Sequence, residues 1–277
     1  MATLNVLYLA GLRALSAYRA AQMDYTRSME RISTGLRINR AADDPAGLAI
    51  SEKMRAQIRG LRQASRNAQD AISMLNVADG ALGETHAILH RLREIAVYAS
   101  TGTLTETERE ALQMEFDELV KAIDDIGGNT QFNTMNLLDG SRDEKDPLII
   151  QIGANAGQNM DISFDDMRSG GLGLDGVSVG TAEAANDAIG IVDEAIKRVS
   201  TQRSYIGAKT RRLEHTINNL ENTAVNLADA ESRIRDADIA EEMMNMVKAQ
   251  IRMQASLAMI AQANVSQQMI LQLLWPK

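Results

Sequence analysis

The sequence predicts a mainly α protein: an elongated antiparallel helical coiled-coil bundle with a small β-hairpin region in the middle. Three observations carry that expectation. First, 45% of the 277 residues are apolar, yet the chain holds only three Phe, five Tyr and one Trp. Aromatic side chains bury the most area per residue, so a thick globular core is not expected. The apolar content falls instead on Ala, Leu, Ile and Met, which favour helices. Second, apolar residues recur at spacings of three and four over long stretches of the chain. Third, one such stretch, 45–99, would be about 80 Å long at roughly 1.5 Å per residue. That exceeds the width of a globule of this size, which makes the expected molecule elongated.

The elements follow in order. Over 4–33, Leu4, Leu7, Gly11, Ala14, Tyr18, Ala21, Tyr25, Ser28 and Ile32 form a coiled-coil-like seam with several weak positions. Gly35 is placed to end that helix. Asp43 or Asp44 is placed to cap the next, with Pro45 at its first position. The second helix, 45–99, carries one clean stripe: Met54, Ile58, Leu61, Ala64, Ala68, Ile72, Leu75, Ala78, Leu82, Leu89, Leu92 and Ala96. Thr101-Gly102 breaks it. Thr105 and Glu108 have capping-box spacing and open a third helix. Its apolar positions are Leu112, Phe116, Leu119, Ile123 and Ile126, and Gly127-Gly128 is expected to end it. This helix should fold back on the second as an antiparallel hairpin.

The region 129–180 changes character. Leu148–Ile152 and Met160–Phe164 read as two strands of a hairpin joined by a Gly- and Asn-rich turn. Residues 146–190 carry seven acidic side chains and one basic, which predicts a solvated surface. From 181 to 230, Ile189, Val192, Ile196, Val199, Ile206, Leu213, Ile217, Leu220, Ala224 and Leu227 keep heptad register. A last amphipathic segment, 232–274, runs through Ile239, Met243, Val247, Ile251, Leu257, Ala261 and Leu271. Both ends of the chain are therefore amphipathic helices. Two helices alone make a poor core, so these stripes predict contacts with other copies of the chain.

Composition excludes several chemistries. With no cysteine, there are no disulfides, thiolate zinc sites or cysteine nucleophiles. The start lacks a basic n-region and reads as no cleaved secretory signal. No apolar run approaches the roughly 18 residues of a membrane span. Gly171, Gly173 and Gly176 match the dinucleotide fingerprint in letters but lack the strand–turn–helix context it needs. His86 and His90, four apart on one helix face near Glu84, have metal-binding spacing but make an incomplete ligand shell. Asp124-Asp125 and Asp165-Asp166 have no converging His, Lys or Ser and read as solvated pairs. The net charge is −8, yet residues 1–70 carry eleven basic and six acidic side chains. Nucleic-acid binding would want interleaved stacking aromatics. Arginine at a protein interface, facing the acidic remainder of another copy, explains the asymmetry better.

Specific strings then matter. Ser33–Ile50 (STGLRINRAADDPAGLAI), Gln57–Asp70 (QIRGLRQASRNAQD) and Gly80–His86 (GALGETH) resemble the N-terminal block of bacterial flagellins. Thr130–Asn133, Leu137–Gly140 and Gln151–Asn155 resemble the blocks that follow. Leu213–Leu220 (LEHTINNL) and Glu231–Asp238 (ESRIRDAD) resemble the C-terminal ones. The resemblance covers nearly the whole chain. About fifty residues separate the two halves, as in a short flagellin lacking the variable outer domains.

The resemblance implies a structural, non-enzymatic subunit of the extracellular bacterial flagellum filament, exported unfolded by the flagellar type III apparatus. The terminal helices would be largely disordered in the monomer and would order on polymerisation. It implies 1–42 as an N-terminal core-forming helix plus linker. It implies 43–180 as the long helix, short helix and β-hairpin of a rod domain, 181–232 as that domain's long C-terminal helix, and 233–277 as a C-terminal core-forming helix. The assembly residues would be Leu4, Leu7, Ile32, Arg37, Asn39, Asp43, Asp44, Arg233, Arg235, Asp236, Met243, Ile251, Leu257, Leu271 and Leu274. Implied partners are further copies, an export chaperone, cap and junction proteins, and a host Toll-like receptor; no cofactor, nucleic acid or membrane is implied. The receptor surface would map to Arg91, Leu92, Glu94 and Glu115, which otherwise read as an ordinary helix face. Two rival readings are a hook–filament junction protein, which shares the terminal helices, and a coiled-coil signalling or binding module.

Overall fold

The computed structural model describes residues 2–274; the side chains of 2–8, 267 and 270–274 lie outside the described residues. Leu4, Leu7, Leu271 and Leu274 fall among those side chains. Among the described residues the elements are α1 (Ala2–Thr34), α2 (Pro45–Ala99), α3 (Glu106–Asn129), β1 (Gln131–Phe132), β2 (Met135–Asn136), β3 (Leu148–Gln151), β4 (Asn159–Ile162), α4 (Ser169–Leu172), α5 (Ala182–Arg235) and α6 (Ile239–Leu274). The protein is mainly α, with long helices and two small antiparallel hairpins. It forms two compact units, one of residues up to 56 and from 226 on, the other of 57–225.

In the first unit α1 and α6 run antiparallel, tied by Arg31 to Glu242 and by Arg252 to Asp24. The seam of α1 is the one its spacing predicts: Ala14, Ala21 and Ser28 are buried, with Gly11, Tyr18, Tyr25 and Ile32 half-buried. On α6 the stripe marked by the sequence lies outside the seam with α1, on a face left for other contacts. Ile239, Met243, Val247, Ile251, Leu257 and Ala261 face outward. The inward residues are Glu242, Met246, Ala249, Met253, Ser256, Ile260 and Ala263, which step by four and three. The physical reason is fit. Ala249 and Ser256 lie on the face that the Ala14–Ala21–Ser28 stripe of α1 requires, because small residues let two backbones approach closely. The bulkier apolar stripe, which dominates the sequence pattern, would hold them apart.

In the second unit the predicted stripes hold. Leu75, Leu82, Leu89 and Leu92 of α2, Phe116 and Ile123 of α3, and Val192, Val199, Ile206 and Leu213 of α5 are at most 2% exposed. The middle segment is more deeply engaged than its charge suggests. Leu137, Leu138, Met160, Ile162, Phe164, Met167, Leu172, Leu174 and Val179 are buried in the same core. Strand β4 alternates exposed and buried residues, so Asn159 and Asp161 face water while Met160 and Ile162 face in. β3 pairs with β4 from Leu148–Ile162 to Gln151–Asn159. The β1–β2 hairpin and the one-turn α4 carry no periodicity of their own and were not legible.

Gly127-Gly128 does not end α3, which continues to Asn129. Gly127 is buried, and a Cβ there would stand 2.8 Å from Arg168 Cγ and 3.3 Å from Arg168 N. The glycine is needed for close approach, not as a stop. The N-terminus of α3 is as expected: Thr105 N–H and hydroxyl donate to Glu108 Oε2 at 2.8 and 2.9 Å. That backbone hydrogen bond also holds the Glu108 carboxyl below its ordinary pKa.

Candidate assembly surface

The first unit is built around two connections, 35–44 and 236–238. Leu36 and Asp236 form an isolated antiparallel bridge. Arg37 N–H donates to the Arg235 carbonyl at 2.6 Å, and Ala237 N–H donates to the Gly35 carbonyl at 3.0 Å. Gly35 has φ +71°, a conformation that suits a residue without Cβ. The Arg37 guanidinium donates to the Ile234 carbonyl at 2.6 Å, so it supplies a donor to an orphan carbonyl near the end of α5. Asn39 Nδ2 donates to the Leu36 carbonyl at 3.3 Å.

Asp43 and Asp44 divide the work the sequence left open. Asp43 Oδ2 accepts from Arg40 N–H at 3.0 Å and Asn39 N–H at 3.2 Å, closing the loop. The Arg40 hydrogen bond is the main cause that holds its carboxyl below the ordinary value. Asp44 is the cap: its Oδ1 accepts from Gly47 N–H at 2.9 Å, with Pro45 opening α2. Ile38, which no periodic pattern flagged, is 1% exposed and plugs this loop; its Cδ1 would stand 2.8 Å from a Cβ on Gly47.

Charged groups brace the same region. Arg235, 10% exposed at its side chain, reaches Glu52 at 2.6 Å. Arg55 meets Glu231 at 3.0 Å, and Arg31 meets Glu242 at 2.8 Å. Asp236 accepts from Ser232 Oγ at 2.5 Å. Arg233 is exposed, with no hydrogen bond or ion pair among the described residues. Asp238 caps α6 through Ala240 N–H at 2.9 Å.

Outside this frame the surface is strongly apolar. On α6, Met243 is 43% exposed, Ile251 60% and Leu257 51%. Met244, Val247, Lys248 and Arg252 join Met243 and Ile251 in one apolar groove with basic residues at its edge. On α1, Leu9, Leu12, Met23 and Met29 are exposed as well. Two adjacent helices thus present large side chains to solvent while burying small ones between them. Contiguous exposed apolar faces of this kind mark interaction surfaces.

In the second unit Arg91 gathers two partners. Its Nε and Nη2 stand 3.0 and 2.8 Å from Glu115 Oε1, and its Nη1 stands 3.1 Å from Glu94 Oε2. The Glu115 hydrogen bonds are the largest cause raising the guanidinium pKa. Leu92 does not belong to this surface. It is 0% exposed, because it sits on the inward stripe of α2, about a hundred degrees round the helix from Arg91.

His86 and His90 do meet, Nε2 to Nε2 at 3.1 Å with rings edge to face. Burial, then His90 and Arg203, hold His86 below its ordinary pKa. His86 Nδ1 is buried without a hydrogen-bond partner. No group of three or more His, Cys, Asp or Glu that could hold a metal occurs among the described residues. One member of each carboxylate pair does structural work. Asp124 accepts from Ser169 N–H at 2.7 Å and Ser169 Oγ at 2.9 Å. Asp166 pairs with both sides of the Arg168 fork at 2.9 and 2.8 Å. Gly173 and Gly176 have positive φ and serve turns after α4. Sequence reasoning missed Gln113, whose Oε1 accepts from Val179 N–H at 2.6 Å and Ser178 Oγ at 3.1 Å. A polar residue on a helix face carries no signal for so distant a partner.

The description "bacterial flagellin N-terminal helical region" matches residues 7–143, and "bacterial flagellin C-terminal helical region" matches 189–274. A flagellin of Halalkalibacterium halodurans is 50% identical over 268 residues, covering 95% of this chain and 97% of that one. A flagellin of Bacillus subtilis is 46% identical, covering 98% of each. The flagellar filament 31.3 kDa core protein of Treponema maltophilum is 42% identical, covering 95% of each. The crystal structure of Bacillus cereus flagellin superposes with TM-score 0.50 at 30% identity, covering 60% of this chain and 94% of that one.

Proposed function

This chain belongs to the bacterial flagellin family, and we propose that it works by polymerising: it is a structural subunit of the flagellar filament. The observation that carries this reading is the outward apolar face of α6, Met243, Val247, Ile251 and Leu257, beside a seam of small residues. Such a pair gains little from its own packing and much from a neighbour's. Interfaces that repeat head to tail without closing generate helical filaments. The terminal helices therefore complete their folding on assembly. No catalytic constellation enters the reading, and the hydrogen-bonded junction of Arg37, Asn39, Asp43, Asp44, Arg235 and Asp236, in which Arg235 is buried, orients the terminal helices for docking.

The rest of the partner set follows from the family and from exposure. The exposed apolar face of α6 is the surface we assign to an export chaperone before secretion, which leaves it free for other subunits outside the cell. Cap and junction proteins meet the ends of the filament. The exposed Arg91–Glu94–Glu115 cluster is the surface we assign to a host Toll-like receptor, without Leu92.

Electron microscopy of purified chain added to sheared filament seeds tests assembly. Wild type should elongate the seeds, and Ile251→Asp should not, with unchanged helical content by circular dichroism. Failure of wild type to elongate, with both termini stably folded in the monomer, would overturn the reading. A cell reporter assay tests the receptor surface: equal signal from wild type and Arg91→Ala would remove that assignment.

A further inference from the structure

The second unit separates its charges by sign on two exposed helix faces. From Lys53 to Gln69, α2 holds five basic residues and no acidic one. Of these, Arg59, Arg62 and Arg66 belong to the second unit, are exposed, and share one face at spacings of three and four. Arg59 and Arg62 make no hydrogen bond or ion pair among the described residues. Arg66 reaches only the side-chain amide of Gln63 on its own helix. The first acidic residue beyond them, Asp70, stands unpaired at the end of the patch.

The opposite pattern lies on α3, which carries eight acidic residues and two basic ones. Arg109 turns inward to the Ala99 and Thr101 carbonyls, and Lys121 is taken by Glu118 at 2.7 Å. Glu108 is spent on the cap, Glu115 on Arg91 and Asp124 on Ser169. Glu106 and Glu110 are exposed without partners, and Asp117 accepts only from Gln113 Nε2 at 2.7 Å. These three share one face. Met114, 65% exposed, stands at its edge.

The two stripes match in spacing. Arg59 to Arg66 and Glu110 to Asp117 are each a seven-residue step, about 10.5 Å along a helix. They cannot meet within one molecule, because Glu115 binds Arg91, which stands about 40 Å from Arg66 along α2 at roughly 1.5 Å per residue. We infer that the Arg59–Arg62–Arg66 stripe of one subunit docks on the Glu106–Glu110–Asp117 stripe of another. The contact joins different surfaces on the two copies, so each copy keeps one stripe of each sign for the next, and the contact builds an open filament when the rotation between copies does not close into a ring. Exposed ion pairs add little affinity singly, but complementary stripes fix register and speed encounter. The inference rests on the filament reading and names a contact within it.

Charge exchange tests it, in seeded elongation at low and moderate salt. Arg59→Glu with Arg66→Glu should slow elongation about tenfold, as should Glu110→Lys with Asp117→Lys. The chain carrying all four substitutions should recover to within about threefold of wild type, since the pairing is restored with its sign reversed. Circular dichroism melts of each variant identify any that fail to fold, and neutral Gln versions of the same sites then replace them. Wild-type rates in both reversed variants, or no recovery in the combined one, would overturn the inference while leaving filament formation by wild type intact. Wild-type elongation with lost binding to phosphatidylglycerol vesicles would assign the arginines to an anionic lipid surface instead, and would also overturn it.

Discussion

Arg31 Nη1 stands 2.8 Å from Glu242 Oε1, joining α1 to α6 across 211 residues of sequence. Glu242 is 9% exposed at its side chain and Arg31 24%. Arg31 Nε and Glu242 Oε2 are buried without hydrogen-bond partners. The pair is thus desolvated but incompletely satisfied, at the end of a seam whose buried positions are the small residues Ala14, Ala21, Ser28, Ala249 and Ser256. Removing one member strands the other. We expect Glu242→Ala to weaken the pairing of α1 with α6 by about 2–3 kcal/mol, below the full cost for a buried pair because Arg31 retains some water. Replacing both by Met should be close to neutral. Hydrogen exchange of α6 amides checks both; equal protection in Glu242→Ala and wild type would contradict the expectation.

Leu92 and Arg91 are neighbours in sequence with opposite roles. Leu92→Ala removes a fully buried side chain and should cost about 2–5 kcal/mol. Arg91→Ala removes an exposed pair and should cost under about 1 kcal/mol. Thermal unfolding of the two variants should therefore separate them clearly. Comparable melting shifts would mean that Leu92 is not the core residue its burial makes it.

Thr134 occupies the turn between β1 and β2 at φ +64°, after Asn133 at φ +50°. Left-handed backbone is tolerated by Asn and costly for a β-branched residue. Thr134→Gly should raise stability by about 0.5–1 kcal/mol, the relieved strain outweighing the entropy of glycine. A lowered midpoint in thermal or urea unfolding would show that the turn gains more from Thr than its backbone loses.

His86 sets a pH dependence whose sign is fixed. Burial holds its folded pKa below the ordinary value of 6.5. The unfolded chain therefore takes up a proton first, and its contribution to stability is full above pH 6.5 and falls as the pH drops toward the folded pKa. His86→Gln should flatten this part of the stability curve. His90→Asn should raise the His86 pKa, since His90 is the second cause of the depression. Unfolding followed across pH measures the first and titration of the His86 ring resonances by NMR the second, and an unshifted His86 would refute the account.

Much of the fold was legible because long helices repeat their signal. Twelve positions of the α2 stripe, from Met54 to Ala96, were assigned by spacing and all are buried or half-buried. The bounds of α2 came from Pro45 and the Thr101-Gly102 break. What failed did so for definite reasons. On α6 the bulky stripe marked by the sequence faces outward, where contacts with other copies are expected, and the seam with α1 lies on a second face that carries the four-and-three spacing. The residues that decide are Ala249 and Ser256, whose smallness is invisible to a hydrophobic count. Gly127 looked like a helix end because its neighbour Arg168 is distant in sequence. The candidate site divided the same way. Asp43 and Asp44 announced themselves through turn chemistry. The links from Arg37 to Arg235, from Arg31 to Glu242 and from Arg235 to Glu52 join residues about two hundred positions apart, and no local pattern encodes them.

The seam of Ala14, Ala21 and Ser28 against Ala249 and Ser256 also decides how a subunit fares when it is lost from the filament. Side chains this small bury little apolar area, so little opposes the opening of α1 and α6. A stray subunit exposes its ends to proteases first, while the deeper leucine, isoleucine and phenylalanine core of the second unit resists. The filament thereby shields every chain it contains and leaves the unassembled ones marked for removal.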